Sequence, residues 1–369
     1  MSKTRDEVLE EALDAVGDLR LAGLNISMGV GKTRIGLEHI RRQYTLIRKY
    51  LVVVPGETIS KSWIAEIEKW DLEFLKPQID FVTYRSLSKC HYDYDFVYLD
   101  EVHSLKTTHD KWLLGYVKQG GRILGLTGTY PPTKSSEKGK MCNKYCPLVY
   151  TYTPTDAVND EILNDYEIIV HELQLDTVPT IKKKGGPNGE FVISETKDYK
   201  YWTGRIESTD NPEELSMLRI QRMKAMQSYP TKEVYAKKLF DSQTEKCIIF
   251  ANTQEQAERL CSHSFHANNP KSDENLKLFS SDKINKLSAV EQLNQGVNIP
   301  NLKIGIILHS YGNNRQANQK IGRMLRLNPK DKATVHILCY INTIDKEWVK
   351  SALEKLDESK IKWIKPLWH

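Results

Sequence analysis

The sequence lacks long apolar runs, a strong excess of charge and the cysteine density of a disulfide scaffold. Its longest apolar runs, such as residues 51–54 and 304–308, are far shorter than the roughly 20 residues of a membrane-spanning helix. The opening MSKTRDEVLEEALD contains no apolar core of a secretory signal, so we expect a cytoplasmic protein without a membrane partner. The formal net charge is only +5, which permits a nucleic-acid partner but does not by itself argue for one.

The six cysteines do not form a disulfide framework in a chain of 369 residues, and their irregular spacing favours a reducing compartment. The nearest approach to a metal-binding pattern is Cys142-x3-Cys146, with Cys261, His263 and His266 far downstream. One short cysteine pair without a second pair is a weak signal for zinc. We therefore expect free thiols near a surface loop, with a structural zinc site as the alternative.

Short apolar runs rich in β-forming residues alternate with segments of helix length. These runs lie at residues 21–26, 50–54, 96–99, 123–126, 247–250, 304–308 and 335–338. Continuous runs of this kind are typical of parallel strands that are buried on both faces. The sequence therefore predicts an α/β protein with two domains, in each of which helices flank a mainly parallel sheet.

A stretch of different character, from about residue 141 to 243, separates the two sets of strands. It contains the polar sequence KKKGGPNGE at residues 182–190, whose glycines, proline and asparagine are typical of a hairpin tip. It closes with one helical run over about 212–240. We predict a first domain over residues 1–150, a connecting segment over 151–240 that is built onto the second domain, and a second domain over 241–369.

Tryptophans occur in two places where their role is open from the sequence. In a predicted helix over residues 60–70, Trp63, Ile64, Ile67 and Trp70 form one stripe, which favours core packing over base stacking. A final helix is predicted over 345–356, and Trp363 and Trp368 follow it in a tail. This tail either packs back on the second domain or contacts a partner.

A glycine-rich segment, SMGVGKT at residues 27–33, follows the first predicted strand and precedes an amphipathic run over 34–42. A turn of this kind at a helix N-terminus presents backbone N–H groups to phosphate, with Lys32 reaching the β- and γ-phosphates and Thr33 supplying a hydroxyl ligand to Mg²⁺. The first glycine of the usual phosphate-loop pattern is replaced by Ile26, and a glycine-rich turn with a solvated lysine is the alternative. The predicted cofactors are ATP and Mg²⁺, and the predicted cofactor-binding residues are Gly29, Val30, Gly31, Lys32, Thr33 and Arg34.

A second acidic motif, FVYLDEVH at residues 96–103, ends a predicted buried strand with two adjacent carboxylates. Burying such carboxylates is costly unless they meet cations. We predict that Asp100 holds Mg²⁺ and that Glu101 orients and deprotonates the attacking water. The alternative, an acidic loop after a strand, is much less expected beside a Gly-Lys-Thr loop.

The segment from Asp100 to His103 resembles the DExH box of superfamily 2 helicases and nucleic-acid translocases. The first half of the chain resembles Swi/Snf-type ATPases in the segments YLVVVP (50–55), FVTY (81–84), DEVHSLK (100–106) and LTGT (126–129). The second half is similar to DNA helicases of the XPB and UvsW kind in CIIFANT (247–253), QGVNIP (295–300) and QKIGRMLR (319–326). The resemblance spans about residues 20–340, and it departs from the family pattern at Ile26, Tyr130 and Gln295.

This resemblance implies two tandem RecA-like domains with an ATP cleft between them. It implies that Gln319 contacts the γ-phosphate or the attacking water, and that Gly296 and Asn298 line the same cleft. Arg323 and Arg326, spaced i and i+3, would share one helix face and act as arginine fingers, with a solvated helix face as the alternative. The residues implied to couple the cleft to nucleic acid are His103, Thr127, Gly128 and Thr129.

The predicted nucleic-acid contacts are directed mostly to phosphates, because a motor must ignore base sequence. By motif position they are Pro55, Gly56, Thr83, Tyr84, Asn252 and Thr253. Lys182, Lys183 and Lys184 at the predicted hairpin either insert at a duplex or fork, or form a solvated basic turn.

These features together predict an ATP-dependent DNA helicase or double-stranded DNA translocase acting on duplex or branched DNA. The alternatives are an ATP-dependent RNA helicase and a nucleotide-gated clamp that hydrolyses little ATP. We expect a monomer of phage or bacterial type in the cytoplasm, or in the host cytoplasm if a phage encodes it. A protein partner is compatible with the short chain.

Overall fold

The computed structural model of the chain describes residues 2–131, 135–185, 189–290, 299–309, 331–354 and 356–366. One compact unit comprises the residues up to Asp165, and most residues from Tyr166 onward form a second. No helix in these ranges combines the length and the apolar character that crossing a bilayer requires.

The first unit is built on a six-stranded sheet in which all the neighbouring strands pair in parallel. Its strands are β1 (Leu21–Ile26), β2 (Tyr50–Val54), β3 (Ile79–Thr83), β4 (Phe96–Asp100), β5 (Arg122–Thr127) and β6 (Leu148–Tyr152), in the order β3-β2-β4-β5-β1-β6. Its helices are α1 (Arg5–Val16), α2 (Lys32–Gln43), α3 (Glu57–Lys69), α4 (Asp110–Lys118), α5 (Glu137–Tyr145) and α6 (Pro154–Asn159). The four apolar runs predicted as strands in this half are β1, β2, β4 and β5.

The core of the first unit contains the two cysteines that the sequence placed near a surface loop. Cys142 and Cys146 are fully buried among side chains of β4, β5 and α4. Burial raises the pKa of the Cys142 thiol to about 11, so the thiol stays protonated at neutral pH. The predicted surface location is therefore wrong for this pair, and the described residues contain no group of three or more His, Cys, Asp or Glu side chains arranged to hold a metal ion.

The second unit is built on a seven-stranded sheet. Its strands are β7 (Asp165–Leu173), β10 (Cys247–Phe250), β11 (Ser264–Phe265), β12 (Lys286–Ala289), β13 (Ile304–Ile307), β14 (Lys332–Tyr340) and β15 (Ile361–Ile364), in the order β11-β12-β10-β13-β14-β7-β15. Its helices are α7 (Glu195–Glu207), α8 (Pro212–Gln227), α9 (Pro230–Ser242), α10 (Gln254–Leu260), α11 (Ser272–Ser280) and α12 (Ile344–Leu353). The fold class of two mainly parallel α/β sheets is confirmed.

The connecting segment contributes to the second unit in three ways. Strand β7 lies between β14 and β15 in the large sheet, and a separate antiparallel hairpin is formed by β8 (Ile181–Lys184) and β9 (Glu190–Ile193). The helical run predicted over 212–240 is two helices, because Pro230, which has no N–H to donate, begins a new helix.

The tail forms the edge strand β15, which pairs in parallel with β7, so the part of the tail that contains Trp363 packs back on the second unit. This leaves Trp368 outside the described residues.

Candidate nucleotide site

The phosphate loop, residues 27–31, connects β1 to α2 and turns twice through backbone conformations that favour glycine. Gly29 has φ of +88° and Gly31 has φ of +125°, and the N–H of Val30 closes a turn on the carbonyl of Ser27 at 3.4 Å. As the N-cap residue, Gly31 has no side chain to bond the first turn of α2. The positive end of α2 is therefore directed at this loop, as an anion site requires.

The first acidic residue, Asp100, ends β4 and is held by neutral donors. Its Oδ2 accepts a hydrogen bond from the indole Nε1 of Trp63 at 2.8 Å, and its Oδ1 accepts the backbone N–H of Glu101 at 2.9 Å. The hydroxyl of Tyr84 donates to the backbone carbonyl of Asp100 at 2.8 Å. These bonds fix the strand end and the carboxylate, because Trp63 and Tyr84 are themselves buried.

Burial, and to a lesser extent the neighbouring Glu101 carboxylate, raise the pKa of the Asp100 carboxyl to about 6. The hydrogen bond from Trp63 and the charge of Lys32 oppose this shift. Within the described part of the chain, no Lys or Arg nitrogen forms an ion pair with this carboxylate at 4 Å or less. The site thus contains a desolvated acid whose charge is not neutralised by a fixed cation.

The second acidic residue, Glu101, lies in a left-handed conformation with φ of +49°, which turns the chain sharply after β4. One carboxylate oxygen, Oε1, lies 3.6 Å from the Nζ of Lys32. The other, Oε2, accepts a hydrogen bond from the hydroxyl of Thr127 at 3.3 Å and lies 3.4 Å from the Nδ1 of His103. The structure therefore brings Lys32 and Glu101 together and holds the carboxylate from its far side.

The coupling residues predicted from the sequence form one cluster at the end of β5. The Nδ1 of His103 lies 2.6 Å from the Oγ1 of Thr127 and 3.0 Å from the Oγ1 of Thr129. A Cβ at Gly128 would lie 3.1 Å from the Nζ of Lys32 and 3.2 Å from the carbonyl oxygen of Ile26, so a larger residue would require these neighbours to shift. The cluster connects the loop after β5 to Glu101 and Lys32.

Arg34 lies on the first turn of α2, beside an exposed aromatic ring. Its guanidinium is paired with Asp6 at 2.7 Å and stacks 4.0 Å from the centroid of the Trp70 ring. The predicted buried stripe of α3 is therefore only partly right, because Trp70 and Ile64 are 38% and 37% exposed.

The sequence missed the role of Trp63, because periodicity gives its burial but not the hydrogen bond that its indole donates.

The predicted nucleic-acid contacts of the first unit lie at the carboxyl ends of neighbouring strands. Pro55 and Gly56 follow β2, with Gly56 as the extended N-cap of α3, and Thr83 ends β3. Tyr84 is only 6% exposed, and its hydroxyl is bonded to Asp100. This placement does not fit the predicted contact of Tyr84 with nucleic acid and gives the residue a structural role at the acidic pair.

The predicted contacts of the second unit fall at one strand end and on the hairpin. The hydroxyl of Thr253 caps α10 by accepting the N–H of Gln256, and the N–H of Asn252 donates to the Gln256 side chain. On β8, Lys183 is paired with the buried Asp198 at 3.0 Å, which does not fit insertion into nucleic acid. The other two lysines, Lys182 and Lys184, are exposed on the opposite face of the hairpin.

Five predicted site residues lie outside the described residues and stay predictions. They are Gly296, Asn298, Gln319, Arg323 and Arg326.

Comparison with known proteins places the chain among helicase folds. Residues 231–328 match the family model for the helicase conserved C-terminal domain. None of the curated proteins compared with the chain matches it in sequence.

Three solved structures are similar to the chain at low sequence identity. The ATP-dependent Type ISP restriction-modification enzyme LlaBIII bound to DNA has a TM-score of 0.62 and 16% identity over 99% of this chain, which spans only 31% of that enzyme. S. cerevisiae Dbp5 bound to RNA and ADP BeF3 has a TM-score of 0.58 and 11% identity over 97% of this chain and 89% of its own. The Pyrococcus furiosus Hef helicase domain has a TM-score of 0.52 and 14% identity over 95% of this chain and 100% of its own.

The two parallel α/β sheets match the tandem RecA-like helicase fold that these structures share. Residues 231–328 thus match a helicase domain model, and the chain as a whole has the fold of these helicase structures.

Proposed function

We propose that the chain is an ATP-dependent DNA helicase or double-stranded DNA translocase of the DExH kind, which couples ATP hydrolysis to movement on duplex or branched DNA. The observation that carries this proposal is the 3.6 Å approach of the Lys32 ammonium to the Glu101 carboxylate. A phosphate-loop lysine and a general base must meet at the same γ-phosphate, and these two groups lie beyond the ends of two different strands, β1 and β4, of one sheet.

The residues of the first unit fit a triphosphate and a magnesium ion. The N-terminus of α2 and Lys32 would hold the phosphates, while the Thr33 hydroxyl and the Asp100 carboxylate are the hard oxygen donors that Mg²⁺ prefers. When bound, Mg²⁺ neutralises charge on the phosphates and on Asp100. Such neutralisation would offset the cost of burying a carboxylate whose pKa is raised to about 6.

Glu101 is proposed to orient the attacking water and accept its proton. Its Oε2 is held by Thr127 and lies beside His103, which leaves Oε1 directed toward Lys32. A change at the γ-phosphate that moves Glu101 would therefore alter its hydrogen bond with Thr127 and, through His103, the contact with Thr129. We propose that this cluster transmits the nucleotide state to the nucleic-acid contacts.

The second unit is proposed to complete the ATPase through its helicase C-terminal domain. By the family resemblance, Gln319, Arg323 and Arg326 contact the γ-phosphate or the attacking water, and Gly296 and Asn298 lie nearby. All five fall within the matched residues 231–328. An arginine finger accelerates other NTPases about 10³–10⁵-fold, so these two arginines are proposed to be essential for turnover.

The proposed contacts with nucleic acid are to phosphates. They comprise Pro55, Gly56, Thr83, Asn252 and Thr253 at strand ends, and Lys182 and Lys184 on the exposed face of the hairpin. We do not retain Tyr84 and Lys183, because both side chains are engaged within the protein. Backbone amides and small polar groups of this kind bind a strand without reading its bases.

The choice of DNA rests on the segments FVTY (81–84) and DEVHSLK (100–106), which resemble the DNA-acting branches of the superfamily. Among the similar structures, LlaBIII is bound to DNA and Dbp5 to RNA, so both partners belong in the test.

The experiment is an ATPase assay with duplex DNA, single-stranded DNA, forks, four-way junctions and RNA. We expect stimulation by duplex or branched DNA, with the Glu101→Gln variant as the inactive control. Stimulation by RNA alone would overturn the DNA proposal, and turnover too slow to support movement would favour the clamp. If contacts to phosphates dominate binding, the logarithm of the DNA association constant should fall steeply and linearly with the logarithm of the salt concentration.

A further inference from the structure

The first turn of α1 holds the phosphate loop from outside through Arg5. The Nη1 of Arg5 donates to the backbone carbonyl of Gly29 at 3.0 Å, and its Nη2 donates to the carbonyl of Ile162, also at 3.0 Å. Gly29 is the loop residue with φ of +88°, inside the turn that Val30 closes on Ser27. Because the peptide unit is planar, fixing this carbonyl also fixes the direction of the Val30 N–H.

The neighbouring residue of α1 holds the other end of the same loop. The Oδ1 of Asp6 forms an ion pair with the Nη2 of Arg34 at 2.7 Å. Arg34 lies two residues after Lys32, in the first turn of α2. Consecutive residues of α1 thus contact the segment before Lys32 and the segment after it.

The turn that carries Arg5 and Asp6 is itself well anchored. Thr4 and Glu7 form a reciprocal capping box at the start of α1, and Val8 and Leu9 are buried beneath it. An anchored helix can impose its geometry on a loop, whereas a frayed terminus cannot.

We propose that the first turn of α1 preorganises the phosphate loop for a nucleoside triphosphate, with Arg5 and Asp6 as positioning residues that set nucleotide affinity. The inference rests on the proposed function, since it concerns the same phosphate site. A loop that is held in its binding conformation loses less conformational entropy when the phosphates bind. Neither residue needs to touch the nucleotide for this effect.

The chain offers a matched control for these contacts. Glu10, one turn further along α1, forms a bidentate ion pair with Arg42 near the end of α2, at 2.6 and 2.7 Å. The Glu10→Gln variant therefore weakens an ion pair between α1 and α2 as well, but at Arg42, which lies ten residues after Lys32 along α2.

The test has two readouts on the whole chain, with Arg5→Ala, Arg5→Lys, Asp6→Asn and Glu10→Gln. The first is hydrogen exchange of the amides of residues 27–35 without nucleotide, and the second is the dissociation constant for Mg·ATP by calorimetry. We expect Arg5→Ala to speed the exchange of this segment and to raise the dissociation constant about tenfold, the loss of roughly one charged hydrogen bond. Asp6→Asn should raise it about twofold to threefold because its ion pair is exposed, and Arg5→Lys should fall between wild type and Arg5→Ala.

The two readouts separate this inference from the proposed function. Exchange and affinity that are unchanged in Arg5→Ala, or changed equally in Glu10→Gln, would overturn the positioning role of α1. A wild-type chain that does not bind Mg·ATP would overturn the proposed function, and with it the claim about nucleotide affinity. A thermal unfolding midpoint measured for each variant separates local loosening of the loop from global loss of stability.

Discussion

Two buried aspartates, one in each unit, have different polar partners. Asp345 at the start of α12 is 1% exposed, and its Oδ2 lies 2.5 Å from the Nζ of Lys232, which is equally buried. Asp100 at the end of β4 is 6% exposed, but its carboxylate is held by the Trp63 indole and a backbone N–H. The carboxylate of Asp345 therefore has a permanent cation, whereas among the described residues the hydrogen-bond donors to the Asp100 carboxylate are neutral.

The difference is the one expected between a structural carboxylate and the carboxylate that we propose to hold Mg²⁺. A buried charge is tolerated when a partner of opposite charge is built into the fold, as Lys232 is for Asp345. At the site that we propose to accept and release Mg²⁺, such a partner would compete with the metal ion. The raised pKa of Asp100 indicates that its charged form is disfavoured by burial in the folded state.

The largest effect is expected at the functional acid next to Asp100. Glu101→Gln removes the proposed general base but keeps the size and polarity of the side chain, so ATP binding should be retained. Turnover should fall about 10²–10⁴-fold, which steady-state ATPase rates at saturating DNA will measure. Turnover equal to wild type would refute the assignment of Glu101 as the base.

Breaking the buried pair of Lys232 and Asp345 should lower the free energy of unfolding. Lys232→Met leaves the Asp345 carboxylate buried without its cation, so the free energy of unfolding should fall by about 3–5 kcal/mol. Urea denaturation of wild type and variant measures this change. The control is Lys237→Met on the same helix α9, whose pair with Asp241 is exposed, and this should cost less than about 1 kcal/mol. Equal losses of unfolding free energy in the two variants would show that Lys232 is not needed to neutralise a buried charge at Asp345, and would contradict the contrast with Asp100.

Asp100→Asn should raise the free energy of unfolding at neutral pH, whereas Lys232→Met lowers it. The folded-state pKa of Asp100, about 6, lies above its ordinary value of 3.8, so the folded state binds more protons than the unfolded state between these two values. Stability from this group therefore falls as pH rises from about 4 to about 6, by up to about 3 kcal/mol, and asparagine removes that loss. We expect urea denaturation midpoints measured from pH 4 to pH 7.5 to show that the stability of the variant relative to wild type increases as the pH rises. A constant difference across this range would contradict the raised pKa.

A smaller effect is expected from Trp63→Phe. The change removes the indole donor to Asp100 Oδ2, which normally lowers the pKa of that carboxyl. The acidic limb of the ATPase pH profile should move to higher pH, with a stability loss of about 1–2 kcal/mol. Trp70→Phe is the control, since the Trp70 ring is exposed and bonds Glu66 instead. A pH profile that moves equally in the control would contradict the role of Trp63.

The parts that local sequence predicts well are the strands and the loop chemistry. The runs that became β1, β2, β4 and β10 were placed to within one or two residues, since continuous apolar runs bounded by turn residues carry their own signal. The glycines at 29 and 31 occupy the positive-φ positions that a phosphate loop needs.

The parts that the sequence did not reveal depend on contacts between distant residues. The bond from Trp63 to Asp100 spans 37 positions, and the pair between Lys183 and Asp198 removes one lysine from a run of three that reads as uniformly basic. The contact of Arg5 with Gly29 likewise joins a helix to a loop across a strand. Periodicity gives the burial of such residues but not their partners, so these roles needed the fold.

The most direct test of the central claim is the stabilisation of wild type and Asp100→Asn by Mg²⁺ and a non-hydrolysable ATP analogue. For wild type at about 100 times the dissociation constant, the free energy of unfolding of the first unit should rise by about 2.7 kcal/mol. Without Mg²⁺ this rise should shrink, because the carboxylate of Asp100 remains unneutralised. Asp100→Asn should start out more stable at neutral pH and gain nothing from Mg²⁺ beyond the effect of the nucleotide alone. A variant that is less stable than wild type, yet stabilised by Mg²⁺ to the same extent, would show that Asp100 is a structural carboxylate like Asp345.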